Sequence, residues 1–348
     1  VYTVEKTNFR LWAPTAESVV LRLFEQGDGE CLLAEYPMQQ SQHGTWVYEY
    51  LGDLEGRYYT YLVKCGEGEK ETIDPYAKAA GVNGKRAMIT DLKKTDPAGF
   101  DKDHGPALLH NTDAVICEIS IADTTADASC HAEYPGKYLG LTESNTVNDE
   151  GMATGTDHLK ELGVTALYLN PIFYAPSCHK YDCLDYFHVD PHFGGDQALA
   201  DLSSALHENG MKLILDISIN HTGTAHRWFN RDGKYFDKSE GAYNNPDSVE
   251  RGYYFFEKDN TYHGWWNLDS MPTLNYTSDS LREAVYRGEN SVLKKWLKAP
   301  YHIDGWRFDV ADVFARNGKI QLAHELWPEI RESIREVNPQ AYILAEDW

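Results

Sequence analysis

Cysteine is scarce in this sequence: six residues in 348, none in CxxC spacing. Cys31, Cys65, Cys117, Cys130, Cys178 and Cys183 therefore give no disulfide framework and no cysteine zinc site, and their usage leans toward a reducing, cytoplasmic compartment. Cys117 falls inside an apolar run, where a buried free thiol is the expectation. Positive charge is also short, with 32 Lys and Arg against 54 Asp and Glu for a formal net charge of −22. A nucleic-acid partner needs a basic footprint and is excluded on that count. The acidity suits a soluble enzyme acting on a neutral substrate, although solubility alone explains it as well. No apolar run approaches the ~20 residues that cross a bilayer, so no membrane span is expected. No glycine fingerprint of the dinucleotide-binding type follows any strand-like run, which counts against a Rossmann sheet.

What is present divides into two rhythms. Residues 1–105 read as all-β. FRLWAPTAESVVLRLFE (9–25) holds two β-rich runs around a proline turn, and TWVYEYL and GRYYTYLV follow between Gly and Asp turn residues. That spacing predicts a small β-sandwich, closed by a Pro- and Gly-punctuated connector from Asp74 to Gly105. From Asp113 onward apolar runs alternate with amphipathic stretches. The runs are AVICEISI (114–121), ALYLNPI (166–172), KLILDISI (212–219), GWRFDVA (305–311) and AYILAEDW (341–348). The stretches between them include DHLKELG, QALADLSSALHENG, the long SLREAVYRGENSVLKKWLKAP, and LAHELWPEIRESIREV. Thr154 and Asp157 read as a capping box, and Gly163 and Gly210 as helix C-termini. Continuous apolar strands joined by helices mean a parallel sheet covered by helices, an α/β fold over 106–348. The aromatic-rich excursion at 222–277 is too long for a plain connection and is expected to line a cleft.

The chemistry lies at the strand ends. The third run ends in Asp216-Ile-Ser-Ile-Asn220-His221, the fourth carries Arg307-Phe-Asp309, and the fifth carries Glu346. In a (β/α)8 barrel that carboxyl end holds the active site. Period-two alternation puts Arg307 and Asp309 on one side of their strand. Two carboxylates on neighbouring strands suit glycosidic bond cleavage: one stays ionised to attack, the other protonates the leaving oxygen. Asp309 beside Arg307, which is expected to hold its pKa down, is the natural nucleophile, and Glu346 the acid/base. The competing reading, internal salt bridges at strand ends, fits one such residue far better than five in this order.

These residues carry a resemblance to the α-amylase superfamily of retaining glycoside hydrolases. DISINH (216–221) resembles its first motif, GWRFDVA its second and ILAEDW its third. HKYDCLDYFHVDPHFGG (179–195) resembles the segment after the second barrel strand in cyclomaltodextrinases, neopullulanases and maltogenic amylases. Residues 8–63 and IDPYAKAAGVNGKRAMITDL are similar to the carbohydrate-binding module and linker of type I pullulanases. The resemblance implies a (β/α)8 TIM barrel behind an N-terminal β-sandwich, acting on α-1,4-glucans such as starch or maltodextrin by a retaining mechanism, with no cofactor required. It implies Asp309 as nucleophile, Glu346 as acid/base and Arg307 as the residue orienting the nucleophile. His221 and Tyr181 are implied to bind the sugar on the non-reducing side of the cut, with Asp216, Trp265 and Trp266 also substrate-binding. For at least one of the two indoles, packing within the loop is the alternative.

Asn220 matches a position that binds structural calcium in many members, with capping of the strand end as its alternative role. Trp12, Trp46 and Tyr58 read as sandwich core, with a glucan platform as the alternative. The family's fourth motif, a His-Asp pair after the seventh strand, lies beyond the fifth strand at which this chain stops, so the barrel reads as incomplete and the span 1–348 alone is expected to be poorly soluble and inactive. The motif YNWGYDP of type I pullulanases is missing from the sequence, which favours α-1,4 over α-1,6 cleavage. A non-catalytic glucan-binding protein on this fold is expected to have lost its carboxylates, and both are present.

Overall fold

The computed structural model describes residues 1–66, 68–96 and 110–347. The chain divides into two compact units, Val1–Asp103 and His104–Trp348. The expected boundary at 105, the end of the connector and Trp348 lie outside the described residues.

The first unit has two antiparallel sheets. One orders Lys6–Trp12, Thr45–Leu51 and Gln39–Gln40; the other orders Leu32–Pro37, Ser18–Phe24, Tyr58–Cys65 and Gly68–Thr72. Alternation sends Phe9, Leu11, Val19, Leu21, Leu23, Tyr59 and Tyr61 into one core. Leu11 pairs across with Trp46, and both point inward. Trp12, one residue on, therefore points outward: it is 67% exposed, and its indole N–H donates to the His43 carbonyl at 3.1 Å. The aromatic trio thus divides, with Trp46 in the core and Trp12 on the surface.

The second unit is built on five parallel strands: β1 (Ile116–Ile119), β2 (Ala166–Leu169), β3 (Lys212–Ile217), β4 (Gly305–Phe308) and β5 (Tyr342–Ala345). They pair in chain order, each parallel to the next. This is the arrangement of successive strands in a (β/α) barrel. Leu167, Leu169, Leu213, Leu215, Ile217, Trp306 and Phe308 face outward and join the helix residues Leu199, Leu202, Leu206, Ile330 and Ile334 in one large core. The alternate positions Ala166, Tyr168, Ile214 and Tyr342 form a separate inner layer with Leu344. Gly305 is required in that layer, because a Cβ there would lie 2.3 Å from the Tyr342 carbonyl oxygen.

Helices Gly155–Glu161, Gly195–Glu208 and Ala323–Val337 occupy expected connections, and Gly163 and Gly210 end the first two at φ of 75° and 74°. Two local expectations fail. The Thr154 hydroxyl bonds Thr146 Oγ1 at 2.7 Å, and Asp157 accepts from the Asn145 amide, so no capping box forms. The stretch 280–300 is no single helix: Asp279–Arg282 passes into a π-type turn over Glu283–Arg287, stops at Gly288, and restarts as Val292–Leu297. A Cβ at 288 would lie 2.7 Å from the Glu283 carbonyl oxygen, so that close approach selects glycine.

The excursion 222–277 spends most of its aromatic content on its own core. Phe229 packs against Tyr243, Tyr254, Phe256 and Tyr262, and Tyr276 donates to the Ile219 carbonyl at 2.7 Å.

Two buried imidazoles make this unit acid-sensitive. Burial pushes His221 down to about 4 and His226 down to about 3, from 6.5. Between 6.5 and those values the unfolded chain holds more protons than the folded one, so stability falls as pH drops. Burial acts oppositely on Asp216, whose carboxyl is raised to about 7, so its contribution falls as pH rises toward 7. Asp309, raised by burial as well, acts with Asp216, whereas the lowered carboxyls of Asp190 and Asp304 act with the histidines, which leaves a net acid lability. The melting temperature is expected to be lower at pH 4.5 than at pH 6.5, and His226→Phe, which keeps the ring against Tyr186 and Trp228, should narrow that gap. A gap unchanged by the substitution would contradict this account.

Candidate active site

Strand register assembles the site. On the parallel pair β3 and β4, Asp216 stands opposite Arg307; on β4 and β5, Phe308 stands opposite Ala345. The next residues on those two strands are Asp309 and Glu346. The ladder continues past the strand ends to hold them, with the Asp309 amide donating to the Ile217 carbonyl and the Glu346 amide to the Phe308 carbonyl, each at 3.0 Å. Both carboxylates thereby sit on rigid backbone at the carboxyl edge of the sheet.

Arg307 joins them. Its Nη1 donates to Asp309 Oδ1 at 3.0 Å and to Asp216 Oδ2 at 2.9 Å, while its Nη2 lies 3.2 Å from Glu346 Oε1. The remaining Glu346 oxygen accepts from the Val310 amide at 2.9 Å. Exposure grades across the cluster: the Asp216 side chain is 0% exposed, Asp309 13% and Glu346 38%. Glu346 is the carboxylate nearest solvent.

Asp216, expected to contact substrate, is sealed inside and bonds Arg307 instead. The expected lowering of the Asp309 pKa also fails. Burial raises it, the Arg307 contact offsets this only in part, and the Glu346 charge pushes further up. An arginine two residues away lowers a carboxyl in water; at this depth the loss of hydration outweighs it. Burial opposes the Arg307 charge as well, but Asp216 foremost raises its pKa and keeps the guanidinium charged.

Tyr181 enters the cluster by its hydroxyl, which accepts from Arg307 Nη1 at 3.4 Å and lies 3.3 Å from Asp216 Oδ2. Its ring is half-buried and stacks beside His179 at 6.1 Å. The loop is anchored next door, where Lys180 and Asp190 form a buried ion pair with side-chain exposures of 7% and 0%. Removing either partner would leave an unpaired buried charge, at a cost of about 3–5 kcal/mol.

His221, Trp265 and Trp266 form a stack. The imidazole lies 4.8 Å from the Trp265 ring at 9°, and the Trp266 ring stacks with Trp265 at 4.7 Å and 19°. Trp265 thus packs within its own loop and against His221, the packing role open to one of the two indoles. Trp266 is 63% exposed.

Asn220 is buried, with its Nδ2 3.3 Å from His221 Nδ1 and its Oδ1 unpartnered among the described residues. That oxygen is the donor type calcium takes, but calcium needs six to eight oxygens. No group of three or more His, Cys, Asp or Glu side chains able to hold a metal ion occurs among the described residues. The contact with the His221 ring is the role the geometry gives Asn220.

Sequence reasoning passed over Tyr168, Asn170 and Glu118. Tyr168 donates to Asp216 Oδ2, and Asn170 donates to Glu118 Oε1 at 2.6 Å. The signal was available: Tyr168 and Asn170 are two apart, the spacing that placed Arg307 and Asp309 together.

Comparison with known proteins finds relatives of both units. A family model for the alpha amylase catalytic domain matches residues 134–348, and one for carbohydrate-binding module 48 (isoamylase N-terminal domain) matches residues 1–77. An amylopullulanase of Thermoanaerobacterium saccharolyticum is 37% identical over 215 residues, covering 57% of this chain and 16% of that protein. A maltogenic alpha-amylase of Bacillus acidopullulyticus is 32% identical over 213 residues, covering 57% of this chain and 31% of that protein. Among solved structures, a mutant pullulanase from Paenibacillus barengoltzii complexed with maltotriose superposes with a TM-score of 0.54 at 32% identity, covering 100% of this chain and 53% of that one. The chain thus spans about half the length of that pullulanase and a smaller share of the two curated relatives.

Proposed function

The chain belongs to the alpha-amylase family, and from that premise we propose that the complete protein acts as a retaining glycoside hydrolase on α-1,4-glucosidic bonds of starch-type glucans. Asp309 attacks the anomeric carbon and forms a glycosyl-enzyme. Glu346 protonates the leaving oxygen and then activates the water that releases the sugar. Arg307 orients both carboxylates. The observation that carries this reading is the single guanidinium reaching Asp309 at 3.0 Å and Glu346 at 3.2 Å. Carboxylates close enough to share one arginine suit the short spacing of a nucleophilic mechanism, since an inverting pair needs about 6.5–9.5 Å for a water between them. The more exposed Glu346 is suited to exchanging protons with leaving group and water, and the more buried Asp309 to attack.

A second reading, α-1,6 debranching, is favoured by the pullulanase structure that aligns with the whole chain. Pullulan separates the two, because its repeating units are joined through α-1,6 bonds. The proposed α-1,4 activity is expected to release maltose and short maltodextrins from amylose. Exclusive release of maltotriose from pullulan, with amylose untouched, would transfer the assignment to debranching.

A further inference from the structure

The proposed chemistry leaves one buried hydroxyl unused. Tyr168 sits on β2, one strand from Asp216, and is 8% exposed. Its Oη donates to Asp216 Oδ2. That same oxygen accepts from Arg307 Nη1 at 2.9 Å and lies 3.3 Å from Tyr181 Oη. The other oxygen, Asp216 Oδ1, is buried without a partner among the described residues. All the bonding of this carboxylate therefore passes through one atom. A buried anion is costly unless hydrogen-bonded, and a hydroxyl donor favours its charged form. Nη1 of Arg307 is in turn shared between Asp216 and Asp309. Whatever fixes Asp216 decides how that one nitrogen is divided between them.

We infer that Tyr168 is a positioning residue for the proposed hydrolysis, its hydroxyl fixing Asp216 so that Arg307 is held in place against Asp309. The inference rests on the hydrolase reading. Tyr168 acts through Asp216 and Arg307 rather than on the sugar. The simpler role is that of a core tyrosine whose ring packs with Ala166, Ile214 and Tyr342 while its hydroxyl finds a convenient acceptor. The two roles part on removal of the oxygen alone. Tyr168→Phe keeps the ring, so a packing role leaves catalysis intact.

The test is steady-state hydrolysis of maltodextrin by the intact protein. Tyr168→Phe is expected to lower kcat about tenfold while KM stays within about twofold, the split that marks loss of transition-state rather than uniform binding. Its melting temperature should stay within a few degrees of the unsubstituted protein. Asp216→Asn supplies a double-mutant cycle. In that background the added Tyr168→Phe should cost less than about twofold, because the hydroxyl no longer has an anion to hold. An unchanged kcat in Tyr168→Phe, or fully multiplicative effects in the cycle, would overturn the inference while an active parent leaves the hydrolase reading standing. An inactive parent protein would remove both.

Discussion

Asp309→Asn is expected to abolish glucan cleavage, lowering kcat by about 10⁴-fold or more, as loss of a covalent nucleophile does in enzymes of this kind. The amide is nearly the same size and can still accept from Arg307 Nη1, so the cluster should persist. What it lacks is the charge that attacks the anomeric carbon. The same carboxyl sets the acid limb of kcat/KM. Its pKa is raised above the usual 3.8, with burial outweighing Arg307, so activity should fall as pH drops through a value above the ordinary aspartate range. Near-normal turnover of maltodextrin by Asp309→Asn would remove the nucleophile from this position.

Glu346→Gln has the second-largest expected effect. Its carboxyl serves twice, giving a proton to the leaving oxygen and taking one from water, and acid–base assistance of this kind contributes about 10²–10⁴-fold. Glutamine keeps an oxygen for the Val310 amide, which Glu346 Oε2 accepts at 2.9 Å, so the loss should fall on chemistry rather than folding. The two substitutions should differ with a substrate whose leaving group departs without protonation. On an activated aryl maltoside, Glu346→Gln should keep a measurable first step while Asp309→Asn stays inactive. Equal residual rates on that substrate would show that the two roles are not divided as assigned.

How much of this was legible in the sequence depends on the length scale of the physics involved. Alternation over two residues is local, so Arg307 and Asp309 could be placed on one face from the sequence, and the structure has them 3.0 Å apart. The meeting of Asp309 with Glu346 depends on parallel register between β4 and β5, which strand-end position suggests but only pairing fixes. Tyr168 was hidden because a phenol within ALYL reads as core, and its ring does pack in the inner layer; its hydroxyl alone belongs to the site. The Asp309 pKa was misjudged because a neighbouring arginine is visible in a sequence and depth of burial is not. Trp265 and Trp266 suit sugar faces in a sequence, but which of them packs within the loop depends on contacts such as the stacking of Trp265 with His221, which the sequence does not show. The helix drawn through 280–300 failed for a similar reason, since helical periodicity cannot register the contact between Gly288 and the Glu283 carbonyl.

The most direct measurement is to trap the covalent intermediate and locate it. An activated α-glucosyl fluoride carrying a second electron-withdrawing substituent near the anomeric centre slows both steps, while its good leaving group lets the first proceed. The intact protein incubated with this reagent and digested for mass spectrometry should gain one glycosyl group on the peptide containing Asp309, and none in the Asp309→Asn variant. Modification of a different carboxylate, or release of sugar with inverted configuration and no adduct at all, would contradict the assignment of Asp309 as the nucleophile of a retaining hydrolase.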